Sequence, residues 1–123
     1  MSKERLQLGR WGEQMAVTKL LASGYVVVAQ NYRCVAGEMD IVARDGDEWV
    51  FVEVKTRRGD NFGRPEEAIR WKKARRLLKV AEHFLHERGL EGVNWRVDVI
   101  AVELDAQGHL LRVEQTLNAV NGW

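Results

Sequence analysis

GEMDIVARDGDEWVFVEVKTRRG, Gly37 to Gly59, holds two apolar, β-branched runs separated by Asp45-Gly46-Asp47. Glu38–Arg44 and Glu48–Lys55 read as strands, and DGD between them is a hairpin signal. The second run carries Val50, Phe51, Val52 and Val54, yet Glu53 and Lys55 interrupt it. Side chains alternate along a strand, so Glu53 and Lys55 share a face with Trp49, Phe51 and Arg57, and the valines take the other. The valine face is explained as core under a helix. A one-residue slip would expose it, so the register is well specified.

The hairpin turn then decides where Asp40 falls. If the turn is Asp45-Gly46, Asp40 lies opposite Phe51; if it is Gly46-Asp47, Asp40 lies opposite Glu53. Directly opposed residues share a face, so either two-residue turn brings Asp40 to the side of Glu53 and Lys55. A three-residue loop without a bulge would turn Asp40 to the valine face instead. Two adjacent acids repel unless one is protonated or a cation lies between them. A lysine offsets part of that repulsion and a divalent metal offsets more, because hard ions such as Mg²⁺ take carboxylate oxygens. The competing explanation is a cross-strand ion-pair ladder on a solvated face, of little energetic consequence.

Around this hairpin, residues Gly9 to Ser23 read as a helix with Trp11, Met15, Ala16, Val17, Leu20 and Leu21 at helical spacing and Gly24 as its stop. Glu13 falls on the apolar line of that helix rather than its polar face, and Gly9, Gly12 and Ala16 leave one side small enough for close backbone approach. Tyr25–Ala29 is strand-like, and Gln30–Ala36 reads as a loop. Thr56 to Arg64 carries the glycines of a loop. Pro65 suits the first position of a helix running to about Arg88, with Glu66 and Glu67 in its first turn. Its stripe is Trp71, Ala74, Leu77, Leu78, Ala81, Phe84 and Leu85. Trp95–Leu104 is a strand, Asp105–Gly108 a turn, His109–Glu114 a further strand, and Thr116–Trp123 ambiguous. This α-β-β-β-α-β-β order predicts an α/β fold with a mixed sheet.

The length of 123 residues suits one domain, here taken as residues 1–123, with a single core. One cysteine, Cys34, excludes an internal disulfide framework and fits a reducing compartment. The N-terminus has no apolar run of signal-peptide length, and no stretch is long enough to span a membrane, so a cytoplasmic protein without membrane contact is expected. The net charge of +1 conceals an acidic centre from Glu38 to Glu53 next to a basic arm from Arg57 to Lys79. That arm includes Arg57, Arg58, Arg64, Lys72, Lys73 and Arg76, and opposed charge runs are ordinarily two solvated faces.

In order along the chain stand Gly9-x-x-Gly12-Glu13-x-x-Ala16, Gly24, Asn31-x-Arg33, Gly37 to Asp45, FVEVKTR from Phe51 to Arg57, and Phe62-Gly63-x-Pro65-x-Glu67-Ala68. Lys73, Arg76, Leu77, Ala81, the strand RVDVIAV and Asn118-Ala119 continue the series. This set resembles the YraN-like family of small bacterial proteins over nearly the whole chain. Met39 stands where isoleucine is usual, and Val97 where phenylalanine is. The family is similar to the PD-(D/E)XK nuclease superfamily and most like archaeal Holliday-junction resolvases. The resemblance implies a restriction-endonuclease-like mixed sheet flanked by helices. It also implies Asp40 and Glu53 as metal ligands, Lys55 as catalytic lysine and Glu13 as the helix-borne acid.

The expected activity is therefore metal-dependent endonucleolytic hydrolysis of DNA, with Mg²⁺ or Mn²⁺ held by Asp40, Glu53 and Glu13. Lys55 would orient or deprotonate water, or stabilise the pentacovalent charge. Arg57, Arg58, Arg64, Lys72, Lys73 and Arg76 would contact the DNA backbone. No base-reading motif is present, so selectivity for branched or junction DNA is expected over sequence recognition. Homodimerisation is expected by analogy with the resolvases. The alternative is a catalytically silent nucleic-acid-binding or assembly module that keeps the nuclease fold. His83 and His86, three apart on a helix, lack a third ligand for zinc. Cys34 has no evident base partner. Asp98, inside an apolar strand, is expected to meet a backbone donor or an arginine rather than substrate, and the tryptophans are assigned mostly to the core.

Overall fold

The computed structural model of the chain describes residues 3–59 and 70–120. Helix α1 (Lys3–Ala22) leads into three strands, β1 (Val26–Cys34), β2 (Gly37–Asp45) and β3 (Glu48–Arg58). Helix α2 (Trp71–Glu87) follows, then β4 (Trp95–Leu104) and β5 (Leu110–Val120). The five strands form one sheet in chain order; β3 and β4 are parallel and every other neighbouring pair is antiparallel. This is an α/β fold with a mixed sheet, consistent with a restriction-endonuclease-like architecture. The parallel pair follows from α2, because two parallel neighbours need a crossover connection.

Among the described residues, each face of the sheet is covered by one helix. Phe51, Trp49, Met39, Val42, Val97 and Val99 pack with Ala74, Leu77, Val80, Ala81, Phe84 and Leu85 of α2. Val50, Val52, Ile41, Ala43, Ile100 and Val102 pack with Ala16 and Leu20 of α1. Both faces of β3 are therefore buried, which is why its sequence is nearly continuously apolar. A polar ladder on a solvated face is ruled out: the face of Trp49, Phe51 and Glu53 lies under α2, and Glu53 is only 7% exposed.

The β2–β3 turn is Gly46-Asp47, because Asp45 pairs with Glu48 and the register runs on to Ile41 opposite Val52. Gly46 has φ of 62°, the left-handed conformation that such a turn requires.

Several boundaries differ from those the sequence suggests. Helix α1 begins at Lys3 rather than Gly9. Its buried line is Gly12, Ala16 and Leu20; Trp11 and Leu21 are exposed. The segment read as a loop, Gln30–Ala36, is mostly strand: β1 runs to Cys34, with Asn31 at φ 52° and a register shift between Val27 and Ala29. That irregularity erases the simple alternation by which a strand is recognised. Helix α2 does not extend unbroken from Pro65, since Arg70 is extended, with φ −82° and ψ 157°, and the helix starts at Trp71. Val80 is buried although it lies outside the expected stripe, whereas Trp71 is 53% exposed. Strand β5 begins at Leu110 and continues through Thr116 to Val120. Arg64, Pro65, Glu66, Glu67 and Trp123 lie outside the described residues.

Candidate functional site

The acids meet where β2 and β3 part. Regular pairing of the two strands ends at Ile41 and Val52. Met39 and Ile41, two residues apart, are buried on opposite faces of the sheet, so the alternation breaks at Asp40. There the Asp40 carboxylate replaces a main-chain acceptor: the Val54 backbone N–H donates to Asp40 Oδ2 at 2.7 Å. Asp40 also shares a hydrogen bond with Glu53. The chain thus spends a carboxylate on a strand junction and brings a second one beside it.

Two buried carboxyls in contact cannot both ionise readily. Burial, together with the hydrogen bond to Glu53 and its charge, pushes Asp40 up to about 8, against the pull of the Val54 N–H. Burial also opposes the charge of Glu53, but the hydrogen bond from Asp40 and the Lys73 ammonium hold its carboxyl below the usual range. The two carboxyls are thus pushed apart, Asp40 toward the protonated form and Glu53 toward the charged one.

Lys73, in the first turns of α2, completes the group. Its Nζ lies 2.9 Å from Glu53 Oε2. Lys55 reaches the same place from β3. Burial and the neighbouring Lys73 lower the Lys55 ammonium below its ordinary value, although Glu53 and Asp40 act the other way. Burial works against the charge of Lys73, but its bonds to Lys55 and Glu53 raise its pKa. The two lysines are thus shifted in opposite directions, Lys73 up and Lys55 down. Lys73, expected on the outer basic face with Lys72, instead belongs to the acid cluster.

Glu13 faces this cluster from α1. The helix approaches closely because Gly12 has no side chain: a Cβ there would sit 1.8 Å from Thr56 Oγ1 on β3. Burial first, then the charges of Glu38 and Glu53, raise the Glu13 carboxyl above its usual range, with Arg10 opposing. Asn31 bridges the acids on this side. In the orientation that satisfies both its amide atoms, its nitrogen donates to Glu13 Oε1 at 2.9 Å and to Glu38 Oε1 at 3.3 Å. Sequence reasoning left Asn31 and Glu38 out of the site, although Asn31 lies within the Asn-x-Arg element of the resemblance and Glu38 opens the strand that carries Asp40.

Asp40 divides two clefts. One, of about 300 Å³, is lined by Glu38, Glu53, Lys73, Arg76 and the apolar side of α2. The other, of about 350 Å³, is lined by Glu13, Lys55, Val54 and Thr56. Among the described residues no three His, Cys, Asp or Glu side chains converge closely enough to enclose a metal ion by themselves. Asp40 and Glu53 nevertheless fit a divalent ion, because a cation between two adjacent carboxylates in one cleft would relieve their repulsion and let both ionise. Mg²⁺ in particular is commonly held by one or two carboxylates, with water and substrate phosphate completing its shell.

The remaining expected residues divide. Arg76 lines the acid cleft. Lys72 is exposed on α2, with its Nζ 5.9 Å from the Trp71 ring centre. Arg57 is half-buried at the end of β3. Arg58 is turned to the β4–β5 turn, where its Nε donates to Ala106 O at 3.0 Å. His83 meets the Tyr32 hydroxyl at 2.9 Å and His86 meets Glu91 at 3.1 Å, so the two histidines do not converge. Asp98 is fully buried and accepts from Arg96 Nε at 3.0 Å, Gln115 Nε2 at 2.9 Å and the Asn118 backbone N–H at 2.8 Å, in line with the structural role expected of it.

The residues of this site fall within a match to a family model described as an uncharacterised protein family, UPF0102, over residues 12–102. The chain belongs to the UPF0102 family. It is 47% identical over 105 residues to a UPF0102 protein of Syntrophus aciditrophicus, covering 85% of this chain and 83% of the relative. It is 45% identical to one from Moorella thermoacetica, covering 93% and 95%. A third, from Syntrophotalea carbinolica, is 44% identical over the full length of both chains. The family match begins at Gly12, the contact that sets Glu13 in place, and takes in Asp40, Glu53, Lys55 and Lys73. No described helix is long and apolar enough to cross a membrane.

Proposed function

We propose that this UPF0102 protein is a metal-dependent endonuclease of the PD-(D/E)XK type that hydrolyses phosphodiester bonds in DNA, selectively in branched structures. The observation that carries the reading is the meeting of Asp40 and Glu53 at a strand junction, with Lys73 Nζ 2.9 Å from Glu53 and with Lys55 and Glu13 in the cleft on the other side of Asp40. Acid on one strand, Glu-x-Lys on the next, and an acid on a flanking helix is the pattern of the nucleases that the sequence resembles.

Asp40 and Glu53 would hold Mg²⁺ or Mn²⁺, with Glu13 facing them. When bound, the ion supplies Lewis-acid polarisation of the phosphate and lowers the pKa of water. Lys55, on the strand of Glu53 and in the cleft of Glu13 and Asp40, is placed to orient the attacking water or to take its proton as the new oxygen–phosphorus bond forms and the bond to the leaving sugar oxygen breaks, that oxygen taking a proton from solvent water. Lys73 supplies fixed positive charge for the phosphoryl oxygens, and Arg76, in the same cleft, binds a flanking phosphate. Val54 orients Asp40 through its backbone N–H.

One observation favours the second reading, a nucleic-acid-binding or assembly module without turnover: Lys73 already neutralises Glu53 in the free protein. Incubation of the native chain with Mg²⁺ or Mn²⁺ and linear, flapped and four-way DNA separates the two. The nuclease reading expects cleavage of the branched substrates and a loss of at least about 100-fold in both Asp40→Asn and Lys55→Ala. Binding without cleavage, or cleavage that persists in both variants, sinks it.

A further inference from the structure

Trp71 opens α2 with 53% of its surface exposed, which makes it an unusual place for a ring that could have been buried. It is surrounded by cations: Lys72 Nζ lies 5.9 Å and the Arg75 guanidinium 6.0 Å from its ring centre. Among the described residues, Trp71, Lys72, Arg75, Arg76 and Lys79 line a groove of about 480 Å³ with no acid among them. The first turn of α2 likewise has no acid. Cations near a helix N-terminus oppose the helix dipole, so this charge pattern costs the helix stability rather than adding to it. An anion lying along the face would reverse that cost. Arg76 lines both this groove and the acid cleft, so the two lie on either side of one guanidinium.

An exposed indole framed by basic side chains is the combination by which proteins hold single strands: the ring stacks on a base and the cations follow the backbone. We propose that Trp71 is a stacking platform for an unpaired base of a DNA strand whose phosphates run over Lys72, Arg75 and Lys79 and reach the acid cleft at Arg76. This rests on the nuclease reading for the identity of the polymer and extends it to the substrate: DNA with a single-stranded segment next to the bond that is cut. Phosphate contacts alone would not distinguish single strands from duplex, whereas a base can lie on Trp71 only where it is unpaired.

The test is equilibrium binding of fluorescently labelled oligo(dT) and of a blunt duplex in EDTA, so that turnover plays no part. Trp71→Ala is expected to weaken oligo(dT) binding by about 5- to 150-fold and to leave duplex binding within about two-fold. Trp71→Phe, which keeps a stacking ring, is expected to stay within about three-fold of the native chain on both ligands. Trp71→Leu keeps apolar bulk without a ring and is expected to follow alanine, so the Phe and Leu pair decides the matter should the alanine variant fold poorly. Arg76→Ala is expected to weaken both ligands together. No binding of oligo(dT) by the native chain, an equal loss on both ligands in Trp71→Ala, or Leu and Phe behaving alike would overturn the platform. If binding discriminates as expected but no DNA is cut in Mg²⁺, the platform stands and the nuclease reading falls. If branched DNA is cut while Trp71→Ala binds oligo(dT) normally, the platform alone falls.

Discussion

At the scale of the residue, Asp40 carries the most unusual chemistry in the molecule. Its folded pKa, about 8, lies above the ordinary 3.8. Between those values the native chain binds a proton that the unfolded chain has released, so stability present at low pH is lost as pH rises through the window. The limiting slope for one such group is about 1.4 kcal/mol per pH unit. Glu53 acts with the opposite sign and elsewhere: its lowered pKa adds stability that is present above the usual carboxyl range and lost in acid. Urea midpoints of the metal-free protein should therefore fall from about pH 5 to pH 8. Asp40→Asn should remove most of that decline, leaving the smaller part that the raised Glu13 carboxyl contributes, and be more stable than the native chain above pH 8. A native chain whose stability is flat over this range would refute the protonation of Asp40. The pairing of Asp40 with Glu53 was legible in the sequence because either two-residue turn puts both on one face of the hairpin, and the turn is the two-residue Gly46-Asp47. The place of Lys73 in the acid cluster was not legible: on a helix carrying Lys72, Lys73, Arg75 and Arg76, the resemblance singles out Lys73 but only the three-dimensional position of Glu53 shows what it meets.

At the scale of the element, helix α1 is held against β3 by the absence of an atom. A methyl group at Gly12 would stand 1.8 Å from Thr56 Oγ1, 2.9 Å from its Cβ and 3.1 Å from its Cγ2. Alanine is worth about 1 kcal/mol more than glycine inside a helix. Overpacking a close contact costs about 1–3 kcal/mol, and the helix must also lift from the sheet. The steric term should win, and Gly12→Ala should lower unfolding stability by about 1–2 kcal/mol. Because Glu13 is the next residue, any cleavage activity should fall with it. Adding Thr56→Ala removes the nearest clashing atom and should recover part of both losses. Recovery of neither in the double variant would show that Gly12 matters for some reason other than this contact. The small side of α1 was visible from the Gly9, Gly12 and Ala16 spacing, but its partner was not, since nothing in the sequence joins position 12 to position 56. Strand β1 was half missed for a related reason. Asn31 adopts φ of 52° within the strand, and its polar neighbours read as a loop until the side chain is seen to bridge Glu13 and Glu38.

At the scale of the whole molecule, the α1 and α2 faces of the sheet carry different work. The order of elements was enough to predict a mixed sheet, because a single helical crossover between β3 and β4 makes one parallel pair among antiparallel ones. What the order could not convey is that polar groups would be buried on both faces. Glu53 lies on the α2 face with Phe51, whereas Asp98 pairs in register with Val52, on the α1 face. Asp98 accepts from Arg96 on its own strand and from Gln115 and Asn118 on β5, while Arg96 also reaches Glu48 on β3 and the Tyr25 hydroxyl at 2.8 Å. One buried carboxylate thus ties the edge strand β5 into the sheet and, through Arg96, to β3 and the entry to β1. Removing its charge weakens three buried hydrogen bonds at a cost of about 1–3 kcal/mol, because Arg96 keeps Glu48 as its counter-charge. Asp98→Asn should lower the urea midpoint by a corresponding amount with the denaturant slope unchanged, since the whole sheet unfolds together. It should also leave the decline in stability from pH 5 to pH 8 as it is in the native chain, because Asp40 and Glu53 keep their partners. Asp40→Asn should do the reverse, removing most of the pH dependence at little cost to folding. If the two variants prove interchangeable in these measurements, the two faces of the sheet are not independent, and the acid cluster is part of the framework rather than a site built upon it.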